Sequence, residues 1–309
     1  MHIVSNIKQV LKKKLPALYS SYLNYHRQRL PAKVVRILSD SHEPTTLNEN
    51  EFDKLQLNHK QWWPKYEYDA YSTGRRAYER ALSFFKLESL RQPGKNVLEI
   101  GCGDGMTGAT LSIFGHQVTL LDYQDWRDDR AQKEKFIPAD LDKPIMLPDS
   151  SFDFIFCFNV FEHISNPALA IKEMVRILRP GGHIWLDFNP LYASPLGLHA
   201  FNFNMPYPQF LFSQDLITKK LHQLGNNDLG KNLIELQAIN HWKANDFEKL
   251  FRNCGCKVVE YIETLDYKQL DIINNYPQAF SGRNLSLRDV TAAGIFCILK
   301  KTDSNCPEP

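Results

Sequence analysis

Apolar residues near the start of the chain recur every four positions, at Ile3, Ile7, Leu11 and Leu15, with Lys8, Lys12, Lys13 and Lys14 between them. That spacing predicts an amphipathic basic helix ending before Pro16. Residues 39–60 are polar and read as a linker. An aromatic, partly helical stretch follows, WWPKYEYDAYSTGRRAYERAL from Trp62. From Lys95 the pattern changes to short apolar runs alternating with helical periods. NVLEI (96–100), QVTLLD (117–122), FDFIFCF (152–158) and HIWLDF (183–188) read as strands, and KFIPADL (135–141) contains another. FDFIFCF is apolar along its length, as a central parallel strand should be. Met106 to Phe114 reads as a short helix. Asn166-Pro167 opens a longer one, with Asn at the cap and Pro at the first position. It runs to Leu178 with Ile171, Met174, Val175 and Leu178 on one face, and RPGG (179–182) stops it. Near the end, HWKANDFEKLFRNCG reads as a helix, and KVVEYIETL and GIFCILKK as two more strands. The alternation predicts an α/β fold, a parallel sheet with helices on both faces.

Charge adds a division to this picture. Between Met1 and Leu38 there are eight Lys or Arg and no Asp or Glu, so the body of the chain is net acidic. An acidic body argues against nucleic acid as partner. The basic arm leaves three partners open: its own domain, a second copy in a homodimer, or a membrane surface with anionic headgroups. No run of about 18 apolar residues occurs, and the N-terminus lacks a secretory core, which points to the cytoplasm, with peripheral membrane contact through the arm as the alternative. The six cysteines (Cys102, Cys157, Cys254, Cys256, Cys297 and Cys306) form no C-x-x-C pair and read as reduced thiols. Cys254-Gly-Cys256 has no His or second Cys pair nearby, so no metal site is expected.

The candidate chemistry starts at VLEIGCGDGMTG (97–108). A glycine-rich turn between strand and helix usually holds a nucleotide. A dinucleotide fingerprint, G-x-G-x-x-G, would need its third glycine at position 106, which is Met106. Gly101, Gly103 and Gly105 stand instead in strict alternation. Glu99 and Asp104 flank them, and two carboxylates at a helix N-terminus repel a pyrophosphate. They suit a cation. S-adenosylmethionine carries an ammonium and a sulfonium and no phosphate. Asp122 ends the second strand at the position where an acid takes the ribose hydroxyls, about 20 residues past the loop. Asp140 follows the third strand, where the adenine amino group needs an acceptor.

Five pieces, EIGCGDG, LLD, PADL, LPDSSFDFIFCFNVFEHI and ILRPGGHIWL, come in the order and at the spacing of a class I SAM-dependent methyltransferase, which residues 97–186 resemble in the manner of the type 11 methyltransferases. The resemblance implies a Rossmann-like, seven-stranded, mostly parallel sheet, its last two strands an antiparallel pair, with the basic helical arm added at the N-terminus. It implies Gly101, Gly103 and Gly105 as the cofactor loop with Cys102 inside it, and Glu99 and Asp104 at the methionine end. It further implies Asp122 with Tyr123 at the ribose, Asp140 with Leu141 at the adenine, and Asn159 near the sulfonium. Residues 1–60 are then an arm and linker, and 61–309 the catalytic domain, carrying a substrate or lid insertion at about 189–240.

The methyl acceptor is a separate question. The place after the fourth strand holds FNVFEH, not the N/D-P-P-Y/F tetrad of many amino-group methyltransferases, and NPLY (189–192) follows the fifth strand and reads as a decoy. From Phe188 to Gln214 there are seven aromatics, four prolines and no Asp, Glu, Lys or Arg. Aromatics without cations suit a glycan or other small non-nucleic-acid substrate, or a lipid or quinone, better than a phosphate backbone. His163 and His199 are the candidate bases for a hydroxyl acceptor. The plain alternatives are a bracing role for Glu162-His163, a packing role for the insertion, and a SAM-binding scaffold without activity. In related enzymes a segment like Trp62–Tyr78 folds over the cofactor, which makes Tyr71 and Arg75 candidate contacts, with a packing helix as the alternative.

Overall fold

The computed structural model describes residues 29–63, 67–228 and 231–302. The basic helix expected over Ile3–Leu15 lies outside them. Five strands run parallel: β1 (Asn96–Ile100), β2 (Gln117–Asp122), β3 (Lys135–Pro138), β4 (Phe152–Phe158) and β5 (Leu178–Phe188). A small hairpin of β6 (Asn226–Asp228) and β7 (Lys231–Leu233) stands apart from them. β8 (Cys256–Leu265) and β9 (Ala292–Lys301) complete the main sheet, in the order β3-β2-β1-β4-β5-β9-β8. β9 inserts antiparallel between β5 and β8. The sheet is therefore seven-stranded and mostly parallel, as expected, with the two C-terminal strands as its antiparallel pair.

Side chains alternate across β4, which lies between β1 and β5. Ile155 and Cys157 face a core closed by the helices Pro167–Ile177 and Ala244–Arg252. Phe154 and Phe156 face the other, closed by the helices Ala70–Phe84 and Met106–Ile113. Phe84 is the centre of that second core, its ring 5.0, 4.8 and 4.9 Å from those of Phe154, Phe156 and Trp185. Burying one such ring contributes about 1.5–3 kcal/mol. The caps follow the sequence. Asn166 accepts from the Leu169 N–H with Pro167 at the first helical position, and Asp69 accepts from the Tyr71 and Ser72 N–H groups. The helix ends at Ile177, and RPGG does not stop it as a turn. Leu178 is already extended, and RPGG is the first part of β5.

The linker expected at 39–60 is a folded element. Residues 29–38 and Glu49–Asn58 are helical. Val34, Leu38, Phe52 and Leu55 enter a third core with Phe203, Phe210 and Phe212 of the insertion. The Phe52 ring lies 5.0 Å from both Phe203 and Phe212, and the Gln56 side chain bonds Asn202 and Asn204. The insertion is thus packed from below by the segment that precedes the catalytic domain, at the C-terminal edge of β5.

Candidate active site

The loop leaving β1 turns on three left-handed glycines, Gly101, Gly103 and Gly105, with φ of 63°, 50° and 68°. Their surroundings differ. A Cβ on Gly101 would stand 2.2 Å from Val160 Cγ2, so only glycine lets this loop close on the loop after β4. A Cβ on Gly103 would meet nothing within 4 Å, because Gly103 opens into the cavity. Gly105 caps the helix Met106–Ile113 behind the cavity wall. Glu99 lies beneath the loop, buried, and its Oε2 accepts the Gly108 N–H at 2.8 Å. Burial pushes its carboxyl up to about 8. Gly108 escaped the sequence reading. A Cβ there would come 2.8 Å from that same Oε2, and the fourth glycine of GCGDGMTG is the signal. Asp104 accepts the Met106 N–H at 2.9 Å. Asp122 accepts the Gly103 N–H at 2.9 Å and the Tyr123 N–H at 2.8 Å, and burial raises it as well. Asp122 therefore braces the glycine loop while its remaining lone pairs stay free for a ligand.

These groups border a cavity of about 670 Å³ at the C-terminal ends of the parallel strands, where open α/β sheets bind ligands. Glu99, Gly101, Cys102, Gly103, Asp104 and Asp122 form one side. Tyr123, Asp140, Leu141 and Asn159 stand on the others. Cys102 is a neutral thiol, its ionisation opposed above all by burial. Asp140 stays ionised, held low by the Asp142 N–H and by Lys143 at 3.0 Å. Tyr71 and Arg75 do not reach the cavity. Tyr71 is 76% exposed, and Arg75 pairs with Glu79 at 2.8 Å. The face of Ala70–Phe84 one position on carries Arg76 and Arg80 to the wall, and Tyr68 joins them from just before the helix. The Arg80 guanidinium lies 4.1 Å over the Phe158 ring. The wall thus offers carboxylates for an ammonium and a sulfonium, guanidiniums for a carboxylate, and room over Gly103. That donor set fits S-adenosylmethionine.

A second cavity, of about 330 Å³, continues from the first and shares Tyr68, Asn159, His163 and Gln237 with it. Asn159 sits at φ 52°, a left-handed position that Asn tolerates better than most side chains. Its N–H donates to the Asp187 carbonyl at 2.9 Å, and its side-chain oxygen accepts from Asn189 at 3.2 Å. NPLY, read as a decoy, therefore supplies Asn189 and Pro190 to this wall. The insertion adds Leu196, His199, Phe201 and Asn202. His163 Nδ1 donates to the Ala238 carbonyl at 2.8 Å, since a carbonyl can only accept, and this leaves Nε2 bare. His199 Nε2 donates to the Pro190 carbonyl at 3.2 Å. Burial lowers both imidazoles, His199 to about 3. Asn240, unremarked in the sequence, holds the turn that carries His163. Its side chain donates to the carbonyls of Phe161 and Ile164, and its backbone N–H to that of Glu162.

A methyltransferase domain family matches residues 71–261. The chain belongs to this family. Fold and family together make residues 71–261 a class I SAM-dependent methyltransferase domain, a family whose cofactor is S-adenosylmethionine. Among curated relatives of the methyltransferase, the ubiquinone biosynthesis O-methyltransferase of Xanthomonas euvesicatoria pv. vesicatoria (strain 85-10) is 25% identical over 169 residues, 48% of this chain and 65% of the relative. That of Dechloromonas aromatica (strain RCB) is 25% identical over 108 residues, 32% of this chain and 47% of the relative. The chain thus spans about half to two thirds of the length of these relatives. Among solved structures, SAM-dependent methyltransferases from Methanosarcina mazei and Mesorhizobium loti are each 17% identical, with TM-scores of 0.45 over 71% of this chain and 98% and 97% of theirs. No helix among the described residues of the methyltransferase is long and apolar enough to cross a membrane.

Proposed function

We propose that the protein methylates a hydroxyl group of a small, neutral acceptor, a glycan in the first instance, held in the smaller cavity. The observation that carries this reading is His163, which lines the cavity with its Nδ1–H fixed on the Ala238 carbonyl and its Nε2 without a proton. S-adenosylmethionine, when bound, supplies a methyl group already activated for displacement. The work left to the protein is alignment and proton removal. His163 Nε2 takes the hydroxyl proton. Asn159, on the wall common to both cavities, positions the acceptor oxygen against the cofactor side. The insertion excludes bulk water. Among the described residues, the lining of the smaller cavity includes no Lys or Arg and six carboxamides, Gln61, Asn159, Asn189, Asn202, Asn227 and Gln237. Amides and aromatic faces such as Trp63 and Phe201 suit hydroxyl-rich rings, and the lack of cations disfavours phosphorylated ones.

The test is a screen of neutral glycans and quinone precursors with labelled S-adenosylmethionine, with the product mapped by mass spectrometry. A methyl ether supports the proposal. Transfer to nitrogen or carbon sinks it. A quinone-type product moves the acceptor to the class named in the relatives and keeps the O-methyl reading. Calorimetry with S-adenosylhomocysteine checks the cofactor side: Asp122→Ala should weaken binding about tenfold or more.

A further inference from the structure

Glu162 stands on the wall of the smaller cavity with 1% of its surface exposed, and neither side-chain oxygen has a hydrogen-bond partner. Buried polar groups are almost always paired, so a buried carboxyl without a hydrogen-bond partner, on a residue that borders a cavity, points to something the cavity receives. We propose that Glu162 recognises a second hydroxyl of the acceptor, next to the one that is methylated, so that the substrate is a neutral vicinal diol of a sugar ring. This rests on the O-methyl transfer reading and sharpens its acceptor.

Three observations carry it. The first is rigidity. Asn240 ties the carbonyls of Phe161, Glu162 and Ile164, so the turn bearing Glu162 is held, and its carboxyl is unpaired because of where it is fixed. The second is adjacency. Glu162 and His163 are neighbours in the chain and both border the same cavity of about 330 Å³, a volume at the low end for ligand sites and suited to a single ring. A ring that gives one hydroxyl to His163 brings the neighbouring hydroxyl toward Glu162. The third is charge. Among the described residues the lining holds no Lys or Arg, and Asp228, on the same wall, accepts from Gln237 at 2.7 Å. A phosphate, carboxylate or uronate would face an acid with no cation to offset it. Burial keeps Glu162 neutral, and the backbone N–H groups of Glu162 and Asn189 pull against that without reaching hydrogen-bonding geometry. A neutral carboxyl has one O–H donor and one free carbonyl oxygen, which matches a hydroxyl that both accepts and donates.

The experiment uses the full chain saturated with S-adenosylhomocysteine and saturation-transfer NMR. The probes are the methyl glycosides of mannose, galactose, rhamnose and glucose, each beside deoxy counterparts lacking one hydroxyl of a neighbouring pair, with catechol beside guaiacol as the aromatic arm. The wild type should favour at least one diol over its deoxy form by about tenfold. Glu162→Leu should bring that ratio close to one, and Glu162→Gln, which keeps a donor and an acceptor, should retain most of it. Glu162→Leu should also melt no lower than wild type, because no protein hydrogen bond is removed. If glycosides show no transfer while catechol exceeds guaiacol through Glu162, the diol reading stands and the glycan assignment falls. Equal response to diol and deoxy probes, no response to any diol, or an unchanged ratio in Glu162→Leu overturns the proposal. So does a marked fall in melting temperature for Glu162→Leu, which would show a structural partner.

Discussion

His163 and His199 meet edge to face, with ring centroids 5.0 Å apart and planes at 87°. One comes from the turn after β4 and the other from the insertion after β5, so the sheet edge brings together two residues that the chain keeps apart. Their carbonyl partners set opposite tautomers, Nδ1–H on His163 and Nε2–H on His199. With burial lowering both, and His199 to about 3, the pair is neutral near pH 7. A group that protonates only near pH 3 is a poor proton acceptor, which favours His163 over His199 as the base of the proposed transfer, with His199 as the ring it packs against.

The pH–rate profile follows from that division. Activity should rise with pH through the His163 titration, with a midpoint below the ordinary 6.5, and be flat from neutrality upward. His163→Ala should lower kcat by about 10²–10⁴-fold and leave S-adenosylhomocysteine affinity nearly unchanged. His199→Ala should cost less and shift the midpoint upward, since losing the ring packed on His163 relieves the burial that lowers it. A midpoint above 7, or full activity in His163→Ala, removes His163 from the role of base. The same titrations act on stability. A histidine lowered in the fold favours the deprotonated form, so its contribution is present above about 6.5 and is lost as pH falls through the folded value.

Glu99 has the opposite sign. Its carboxyl sits at about 8, above the ordinary 4.5, so the fold prefers it protonated. Its contribution to stability is full below 4.5 and is lost as pH rises through about 8. A cationic cofactor reverses the preference, because a nearby positive charge favours the carboxylate. Uptake of S-adenosylmethionine at pH 7 should therefore release a proton. Calorimetry in two buffers of different ionisation enthalpy measures it directly. Glu99→Gln should abolish the release, and heats that do not depend on buffer would contradict the assignment of Glu99 to the cofactor's cationic end.

The two glycines that face different neighbours should fail in different ways. Gly101→Ala combines a left-handed backbone with a Cβ driven to 2.2 Å from Val160, so the loss is in folding: a lower melting temperature and poor expression. Gly103→Ala meets no atom within 4 Å and carries only the backbone strain of φ 50°, about 1–2 kcal/mol. Its methyl stands where the cofactor needs room. Gly103→Ala should thus stay folded and lose S-adenosylhomocysteine affinity. Equal affinity in Gly103→Ala and wild type would place the cofactor elsewhere in the cavity.

The catalytic sheet was legible because its signals are local: apolar runs such as FDFIFCF, a glycine turn, and Asn166-Pro167 at a helix start. The acids that border the larger cavity, Glu99, Asp104, Asp122 and Asp140, were legible because each stands near the C-terminal end of one of the first three strands. What was hidden depends on contacts across the chain. Phe52 and Leu55 are two apolar positions in a polar stretch, and only the insertion they pack against reveals Glu49–Asn58 as a folded element. Tyr71 and Arg75 lie one step round the helix from Arg76 and Arg80, and aromatic composition alone does not tell which side faces the cavity. Glu162 reads as a bracing residue until its lack of partners is seen, and Asn240 carries no sequence signal at all.

Asn240 gives the sharpest test of how the acceptor side is held. Its side-chain NH₂ donates to the Phe161 carbonyl at 2.6 Å and the Ile164 carbonyl at 2.8 Å, while its Oδ1 accepts the Trp242 N–H at 3.1 Å. Both ends of the amide are therefore in use, and the amide has one orientation. Asn240→Ala leaves two carbonyls without donors, a loss of about 1–3 kcal/mol, and should lower the melting temperature by a few degrees in a domain of this size. Since the turn carries His163 and Glu162 but not the glycine loop, kcat should fall and KM for the acceptor should rise, with S-adenosylhomocysteine affinity kept. Asn240→Asp keeps the size and the acceptor for Trp242 but presents a carboxylate to two carbonyls. It should be worse than Ala in both melting temperature and kcat. An Asp variant as stable as wild type would mean that the amide does not donate to the turn, and the rigidity assigned to Glu162 and His163 would have to come from another source.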